Sequence, residues 1–260
     1  MTIESHIGLE TSTSLLHAYD SVARDHKRMR EAQSREVRKP AVVPSPPPMT
    51  FDRYATTFTL LSLNAAIVEG TMRSILADRI LKDRLAAVDE ANRQGRTVPT
   101  PAERLVETFH LSVETNGGWE NLKAQYAEYL RIKILDLVPT DKGTTVQTAE
   151  VIESLFVLRN VLAHGTAFVI PKQWMDDDSR ENYPYKWQSK LQRASVLLDS
   201  QFKHEKFFEN LAEDGVPAFF FSHTQILFAA LKSKLAPLPE RVLKTVDKVA
   251  EFSFGFRNFG

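Results

Sequence analysis

The longest proline-free stretch of this 260-residue chain constrains its fold more than any other feature. No proline occurs between Thr50 and Arg93, and apolar residues recur there at helical spacing. The pattern predicts one long helix that stops at Gly95. At 1.5 Å per residue such a helix spans about 60 Å, longer than a small domain is wide. We therefore expect a break, and Gly70 is the predicted position.

Two sites carry the chemistry that starts a helix. Thr100 is a candidate N-cap, Pro101 occupies the first helical position, and Glu103 completes a capping box. A second capping box is predicted downstream, with Ser222 as the cap and Gln225 three residues later. Both signals predict helix starts at the residue that follows the cap.

The rest of the sequence also favours helices, with weak strand signals. The further helices are predicted to open at Trp119, to run from about Thr145 to His164, to cover 190–212, and to run from about Leu238 to Ala250. The tail, with Phe252, Phe254 and Phe256, is interpreted as either a short strand or a docked aromatic segment. The fold class is therefore predicted as all-α with little strand.

Proline content divides the chain into three parts. Residues 11–39 read as one helix, and five prolines then fall within the ten residues "KPAVVPSPPP". We interpret residues 1–39 as an N-terminal helical arm, 40–50 as a Pro-rich linker and 51–260 as a helical domain. A loop insertion is predicted near 171–189. The basic second half of the arm is interpreted as a solvated face, in preference to an RNA contact.

Composition excludes several classes of site. The 33 basic and 33 acidic side chains cancel, so a nucleic-acid surface has to be a local patch. The chain has no cysteine, which excludes disulfides, thiolate zinc sites and a cysteine nucleophile. The N-terminus lacks the pattern of a signal peptide, and no 18-residue run is free of charge. We expect a cytoplasmic protein with no membrane partner and no cofactor or metal.

The most apolar run, "VIESLFVLRNVLAHGTAFVI", contains three polar residues within six positions. On a helix with about 100° per residue, Asn160 and His164 share one face, and the long stem of Arg159 reaches the same patch. The rows of helix residues on either side of this patch are apolar, so the patch cannot lie on an ordinary solvent-exposed surface. The pattern predicts a polar patch at a seam between helices or between subunits.

The chemistry of this patch suits RNA. Arg159 offers a planar fork for a phosphate, and His164 lies in the last helical turn, where the helix dipole favours imidazolium. These groups can cleave RNA through its own 2′-hydroxyl without a metal. Because one histidine provides one proton carrier, a two-fold dimer that pairs this helix with its copy would supply the second.

At these residues the chain resembles the HEPN superfamily (higher eukaryotes and prokaryotes nucleotide-binding domains). Its ribonuclease members carry Arg, then a polar residue, and His four to six residues beyond the Arg; "RNVLAHG" matches with Arg159, Asn160 and His164. The stretch "LNAAIVEGTMRSIL" resembles the family's early helix, with Glu69 at its frequent acidic position, and "GGWENLKAQY" resembles the piece before the motif helix. The resemblance covers roughly residues 51–235.

The resemblance implies a four- or five-helix up-and-down bundle that dimerises through the motif helix. It implies a metal-independent endoribonuclease acting in toxin–antitoxin pairs or phage defence, with RNA and an antitoxin or defence protein as partners. Arg159 would bind the phosphate, His164 would move a proton, and Asn160 would hold the phosphate or orient His164. Glu69 would pair with Arg159.

Two other function classes stay open. Some HEPN proteins bind a nucleotide or a protein without cutting RNA, and the chain also fits a helical interaction protein with a basic arm. An Arg–His pair in a helix is commonly structural, and Glu153, on the same row, is an available partner for His164. His110 and His223 are interpreted as surface or packing residues.

Overall fold

The computed structural model describes residues 11–37, 51–140, 146–163, 185–204 and 207–254. Every regular element in these ranges is a helix, which confirms the prediction of an all-α helical bundle. The α-helices are α1 (Thr11–Val37), α2 (Phe51–Arg93), α3 (Pro101–Thr115), α4 (Trp119–Gln125), α5 (Thr148–Ala163), α6 (Tyr185–Phe202), α7 (Phe207–Leu211), α8 (Val216–Lys234) and α9 (Glu240–Glu251). A π-helical turn (Tyr126–Leu130) continues α4, and a 3₁₀ turn (Ile134–Leu137) follows it.

Helix α2 is unbroken over 43 residues, so the predicted break at Gly70 is wrong. At 1.5 Å per residue it is about 65 Å long. Gly70 instead permits a close approach of helix α1, because a Cβ at this position would lie 2.7 Å from Ser12 Oγ. The glycine is therefore explained by packing between two helices and not by a kink.

Helix α1 differs from the expected arm because it packs into the core. Leu16, Tyr19 and Ala23 are fully buried. The ring centroid of Tyr19 lies 4.6 Å from that of Phe221 in α8 and 5.5 Å from that of Phe252, just after α9. The apolar face of α1 is thus covered by α2, α8 and the end of the chain, and the helix belongs to the bundle.

The centre of the bundle is formed by α2 and α5. Helix α5 contacts α2, α6 and α8, and α2 also contacts α1, α3 and α9. The buried apolar side chains of all these helices form one continuous core. Because α2 connects to α3 through residues 94–100, and α8 to α9 through 235–239, sequential helices lie side by side, as in other short-loop bundles.

One of the two predicted capping boxes exists. Thr100 Oγ1 accepts a hydrogen bond from the backbone N–H of Glu103, whose carboxylate accepts one from the N–H of Thr100, so the first prediction is confirmed. The second is wrong, because α8 begins at Val216, six residues before the predicted cap. Ser222 lies inside this helix and its hydroxyl donates to Phe219 O.

Other predicted boundaries move by a few residues. Helix α5 begins at Thr148, and α9 spans Glu240–Glu251, close to the predicted last helix. The predicted loop at 171–189 lies outside the described residues up to 184, and residues 185–189 belong to α6. The predicted helix over 190–212 is interrupted after Phe202.

The aromatic tail docks on the core as far as it is described. Phe252 is buried, and its ring centroid lies 4.7 Å from that of Phe221, while Phe254 packs at the edge of Tyr19. Phe256 lies outside the described residues. Within the described ranges, none of the helices combines the length and the apolarity needed to cross a membrane.

Candidate functional site

The C-terminal half of α5 carries a polar pair at the edge of a buried helix. Leu155, Phe156 and Leu158 are buried, whereas Arg159 and Asn160 are partly exposed. Arg159 and Asn160 therefore lie on a face of α5 that the core does not fully cover. The predicted polar patch is present for these two residues, and His164 lies outside the described residues.

Arg159 is held by an ion pair that crosses from α5 to α2. Its Nη2 lies 2.8 Å from Oε2 of Glu69, and its Nη1 donates to Oδ1 of Asn160 at 2.8 Å. The side chain of Glu69 is 12% exposed and that of Arg159 is 28% exposed. The pairing that was predicted for Glu69 and Arg159 is thus observed.

Glu69 binds a second arginine as well as Arg159. Its Oε1 accepts hydrogen bonds from Arg73 Nε at 3.2 Å and from the backbone N–H of Gly118 at 3.0 Å. Burial of a carboxylate is costly unless it is paired and hydrogen-bonded. Two guanidinium groups and one N–H meet that requirement here, so both oxygens of Glu69 have partners.

Arg73 connects the carboxylate of Glu69 to the turn between α3 and α4 through hydrogen bonds. Its Nη1 donates to Val113 O at 3.0 Å, and its Nη2 donates to Asn116 O at 3.3 Å. These carbonyls lie at the C-terminal end of α3, where main-chain acceptors lack helical partners. Arg73 was not identified from the sequence, although it follows Glu69 by one helical turn, which is the spacing of a helical ion pair.

Two glycines make the turn fit against Arg73 and Glu69. A Cβ on Gly117 would lie 3.2 Å from Arg73 Nη2, and Gly118 has φ of +95°, a conformation that residues with a side chain rarely adopt. This φ turns the N–H of Gly118 toward Glu69. The two glycines of the "GGWENLKAQY" stretch therefore let the turn pack against Arg73 and donate a hydrogen bond to the carboxylate that binds Arg159.

Trp119, the next residue, fixes α4 on α5. Its ring stacks on Phe156 at a centroid distance of 4.1 Å and an interplanar angle of 4°, and its Nε1 donates to Glu153 Oε1 at 3.1 Å. Lys123 also donates to Glu153. Burial lowers the pKa of Lys123, but the hydrogen bonds and negative charges of Glu153 and Glu120 together hold that pKa above its ordinary value. Glu153, considered as a partner of His164, is thus engaged with α4.

An open groove lies between α5 and α6, and its α5 wall precedes the motif. It has a volume of about 570 Å³ and follows the α5 row of Glu153 and Val157, the row that continues to Asn160. Its walls combine apolar side chains with two carboxylates, Glu150 and Glu153 of α5, and two cations, Lys190 and Arg193 of α6.

The described histidines lie elsewhere in the bundle. His223 Nδ1 is 2.9 Å from Thr148 Oγ1, and burial lowers the pKa of His223. Its role is packing at the start of α5, as predicted. No group of three or more His, Asp or Glu side chains gathers to hold a metal ion within the described ranges.

The site thus brings together Glu69, Arg159 and Asn160 from the predicted set and adds Arg73 and Gly118. Chemically, the site can present one charged, hydrogen-bonded guanidinium beside an amide near the end of α5. Comparison with protein-family models, with curated proteins and with solved structures finds no match for this chain.

Proposed function

We propose that this protein is a metal-independent endoribonuclease of the HEPN type, which cleaves RNA by attack of the 2′-hydroxyl on the adjacent phosphate. The proposal rests on the contacts and the exposure of the Arg159 side chain. A guanidinium at the end of an apolar helix is paired with Glu69, touches Asn160 and keeps 28% of its side chain exposed. The sequence places His164 five residues further along the chain.

A phosphate can replace Glu69 as the partner of Arg159. Glu69 keeps Arg73 and the N–H of Gly118 when Arg159 turns away, so its charge stays compensated. An RNA phosphodiester offers the guanidinium the same bidentate acceptor geometry as a carboxylate. Glu69 would therefore hold Arg159 in place before RNA binds, and Asn160 would donate its amide N–H to the same phosphate.

The proposed reaction needs two proton transfers and no other reactant. One His164 removes the proton of the 2′-hydroxyl, and the 2′-oxygen forms a bond to phosphorus. The bond from phosphorus to the 5′-oxygen breaks, and this oxygen takes a proton from the partner's His164. The products are a 2′,3′-cyclic phosphate and a 5′-hydroxyl. Arg159 stabilises the charge that develops on the phosphoryl oxygens.

Two chains would build this site together by pairing their α5 helices around a two-fold axis. An isologous contact brings the same residues of both chains to one cleft. The partly exposed motif end of α5 and the adjoining groove are available for such a contact within the described residues. By analogy with the family, we place the activity in toxin–antitoxin pairs or phage defence, with an antitoxin or defence protein as the regulating partner.

The test is cleavage of a labelled RNA by purified protein, in the presence and absence of EDTA. We expect cleavage under both conditions, and loss of cleavage in Arg159→Ala and in His164→Ala. Arg104→Ala, at an exposed site on α3, and His17→Ala, at an exposed site on α1, are the matched controls and should cleave like the parent. A parent protein that leaves all RNA intact would refute the proposal.

A non-catalytic binding module is the second candidate function. It is favoured by one observation: Arg159 already has a carboxylate partner in its own chain, as a structural arginine would. This candidate predicts that RNA or a nucleotide binds to the parent protein and stays uncut. Arg159→Ala would then weaken binding, which fluorescence anisotropy with a labelled RNA measures directly.

A further inference from the structure

The C-terminal part of α2 extends beyond the core and exposes an apolar stripe. Leu81, Leu85 and Val88 are 44%, 52% and 54% exposed, and Asn92 continues the same line. Their spacing of four, three and four residues keeps them on one side of the helix. Val88 and Asn92 also border an open groove between α2 and α3, together with Val98 and Val106. No described helix covers the stripe.

The hairpin of α2 and α3 concentrates the exposed apolar surface of the molecule. Nine large apolar side chains are exposed within the described residues, and six of them belong to this hairpin and its turn. Those six are Leu81, Leu85, Val88, Val98, Leu105 and Leu111. A concentration of this kind marks an interaction surface, whereas single exposed apolar residues do not.

The stripe has the pattern of a short seam between paired helices. Spacings of four, three and four correspond to core positions of the heptad repeat, with Leu81 and Val88 at one type of position and Leu85 and Asn92 at the other. A single polar Asn in such a seam specifies register and partner number at some cost in stability. This composition favours a defined helical partner over nonspecific association.

Charges beside the stripe complement a second copy of the same helix. Lys82 and Asp89 flank the stripe on the side away from α3, seven residues apart and of opposite sign. Arg84 flanks the other side and lies 3.5 Å from Glu107 of α3. The ammonium of Lys82 lies 2.7 Å from Asp78 of its own helix, and the Lys82 side chain is 58% exposed, so the ammonium can reach a second carboxylate.

We propose that two copies of this protein associate through antiparallel packing of these stripes, around a two-fold axis near residue 86. In this arrangement Leu85 packs on the partner's Val88, and Leu81 packs on the partner's Asn92. Lys82 then meets the partner's Asp89, and symmetry repeats each contact. Antiparallel packing also sets the two bundles at opposite ends of the paired helices.

This association is independent of the proposed nuclease site. Leu81 follows Glu69 by 12 residues, so the stripe begins about 18 Å further along α2 than the carboxylate that binds Arg159. A contact through the stripe would exist whether or not α5 also pairs with its copy. If both contacts form, loss of the stripe contact leaves the two-chain assembly that α5 holds together.

Charge reversal tests the proposal most sharply. The mass of the full chain is measured by light scattering after size exclusion, against the chain mass of 29.5 kDa. We expect Lys82→Glu and Asp89→Lys each to halve the mass of the parent assembly, because each places like charges opposite one another. The double variant Lys82→Glu/Asp89→Lys should restore the parent mass. Glu90→Lys, on the opposite side of α2, is the control and should change nothing.

Leu85→Glu tests the apolar part of the stripe in the same assay. We expect half the parent mass together with an unchanged circular dichroism spectrum, since Leu85 is exposed and contributes little to the fold. A parent protein that runs as a single chain at every concentration overturns the proposal. So does an assembly whose mass is unaffected by these variants, or a double charge reversal that fails to restore the mass.

Discussion

Removing the carboxylate of Glu69 should destabilise the bundle measurably. The side chain is 12% exposed and accepts three hydrogen bonds, from Arg159, Arg73 and the N–H of Gly118. Removing one partner of a fully buried ion pair costs about 3–5 kcal/mol, whereas an exposed pair contributes about 0–1 kcal/mol. The two arginine side chains are 28% and 25% exposed, so water screens them in part. We expect Glu69→Ala to lower the free energy of unfolding by about 2–3 kcal/mol.

The assay is urea unfolding followed by circular dichroism, and the expected change is a lower midpoint with an unchanged slope. Glu69→Gln keeps the acceptor oxygen but loses the charge, and we expect it to cost about 1–2 kcal/mol. Glu128→Ala, at an exposed glutamate, is the control and should stay within about 0.5 kcal/mol of the parent.

A double-mutant cycle assigns the loss to the Arg159 pair. Glu69→Ala and Arg159→Ala should be less than additive when combined, with an interaction free energy of about 1 kcal/mol or more. The reasoning is refuted if Glu69→Ala costs less than about 0.5 kcal/mol, or if the two changes are additive. Either result would mean that the carboxylate does not hold the guanidinium in solution.

Three further outcomes follow from the described contacts. Gly118→Ala should cost about 1–3 kcal/mol in urea unfolding because φ is +95° there, whereas Gly215→Ala, at φ −78°, should be near neutral. Hydrogen bonds from Arg96 lower the pKa of Glu103 to about 2. The contribution of the Glu103 carboxylate to the free energy of unfolding is therefore fully present above its unfolded pKa of about 4.5 and is lost as the pH falls toward 2. We expect the unfolding curves of the parent and of Glu103→Gln to converge over that pH range. Phe156→Ala should cost about 3–5 kcal/mol, measured in urea, by opening a cavity against the ring that stacks on it.

Local signals were sufficient where the chain contributes both partners within a few residues. The capping box of Thr100 and Glu103 depends on four consecutive residues, and the structure has it as predicted. The same signal at Ser222 was misleading, because Pro217 in the first turn and the apolar residues after it already begin α8. Gln225 instead donates to carbonyls at the end of α9, a contact that no local pattern contains.

Tertiary packing explains the features that local sequence patterns predicted wrongly. Gly70 resembles a helix break, but its meaning comes from Ser12, which is 58 residues away in the chain. The proline-rich segment before α2 suggested a separate arm, yet the apolar face of α1 with Leu16 and Tyr19 is buried in the bundle. A flexible or extended connection does not by itself determine where the preceding helix packs.

For the same reason, only part of the candidate site could be predicted from the sequence. The chemistry of Arg159 and Asn160 is evident from neighbouring residues in an apolar run, and the acidic partner Glu69 was suggested by the family resemblance. Arg73 and Gly118 act by meeting Glu69 from a second turn of α2 and from a distant loop. Such contacts span 49 residues in the case of Gly118 and require the folded arrangement.

The chemical ends of the RNA fragments test the central proposal most directly. Mass spectrometry of fragments produced by the parent protein should find 2′,3′-cyclic phosphate and 5′-hydroxyl ends, and an RNA with a 2′-deoxy sugar at the cut position should remain intact there. Arg159→Ala should produce no fragments. Fragments with 3′-hydroxyl and 5′-phosphate ends, or equal cleavage by Arg159→Ala, would contradict the proposed role of Arg159 and of the 2′-hydroxyl.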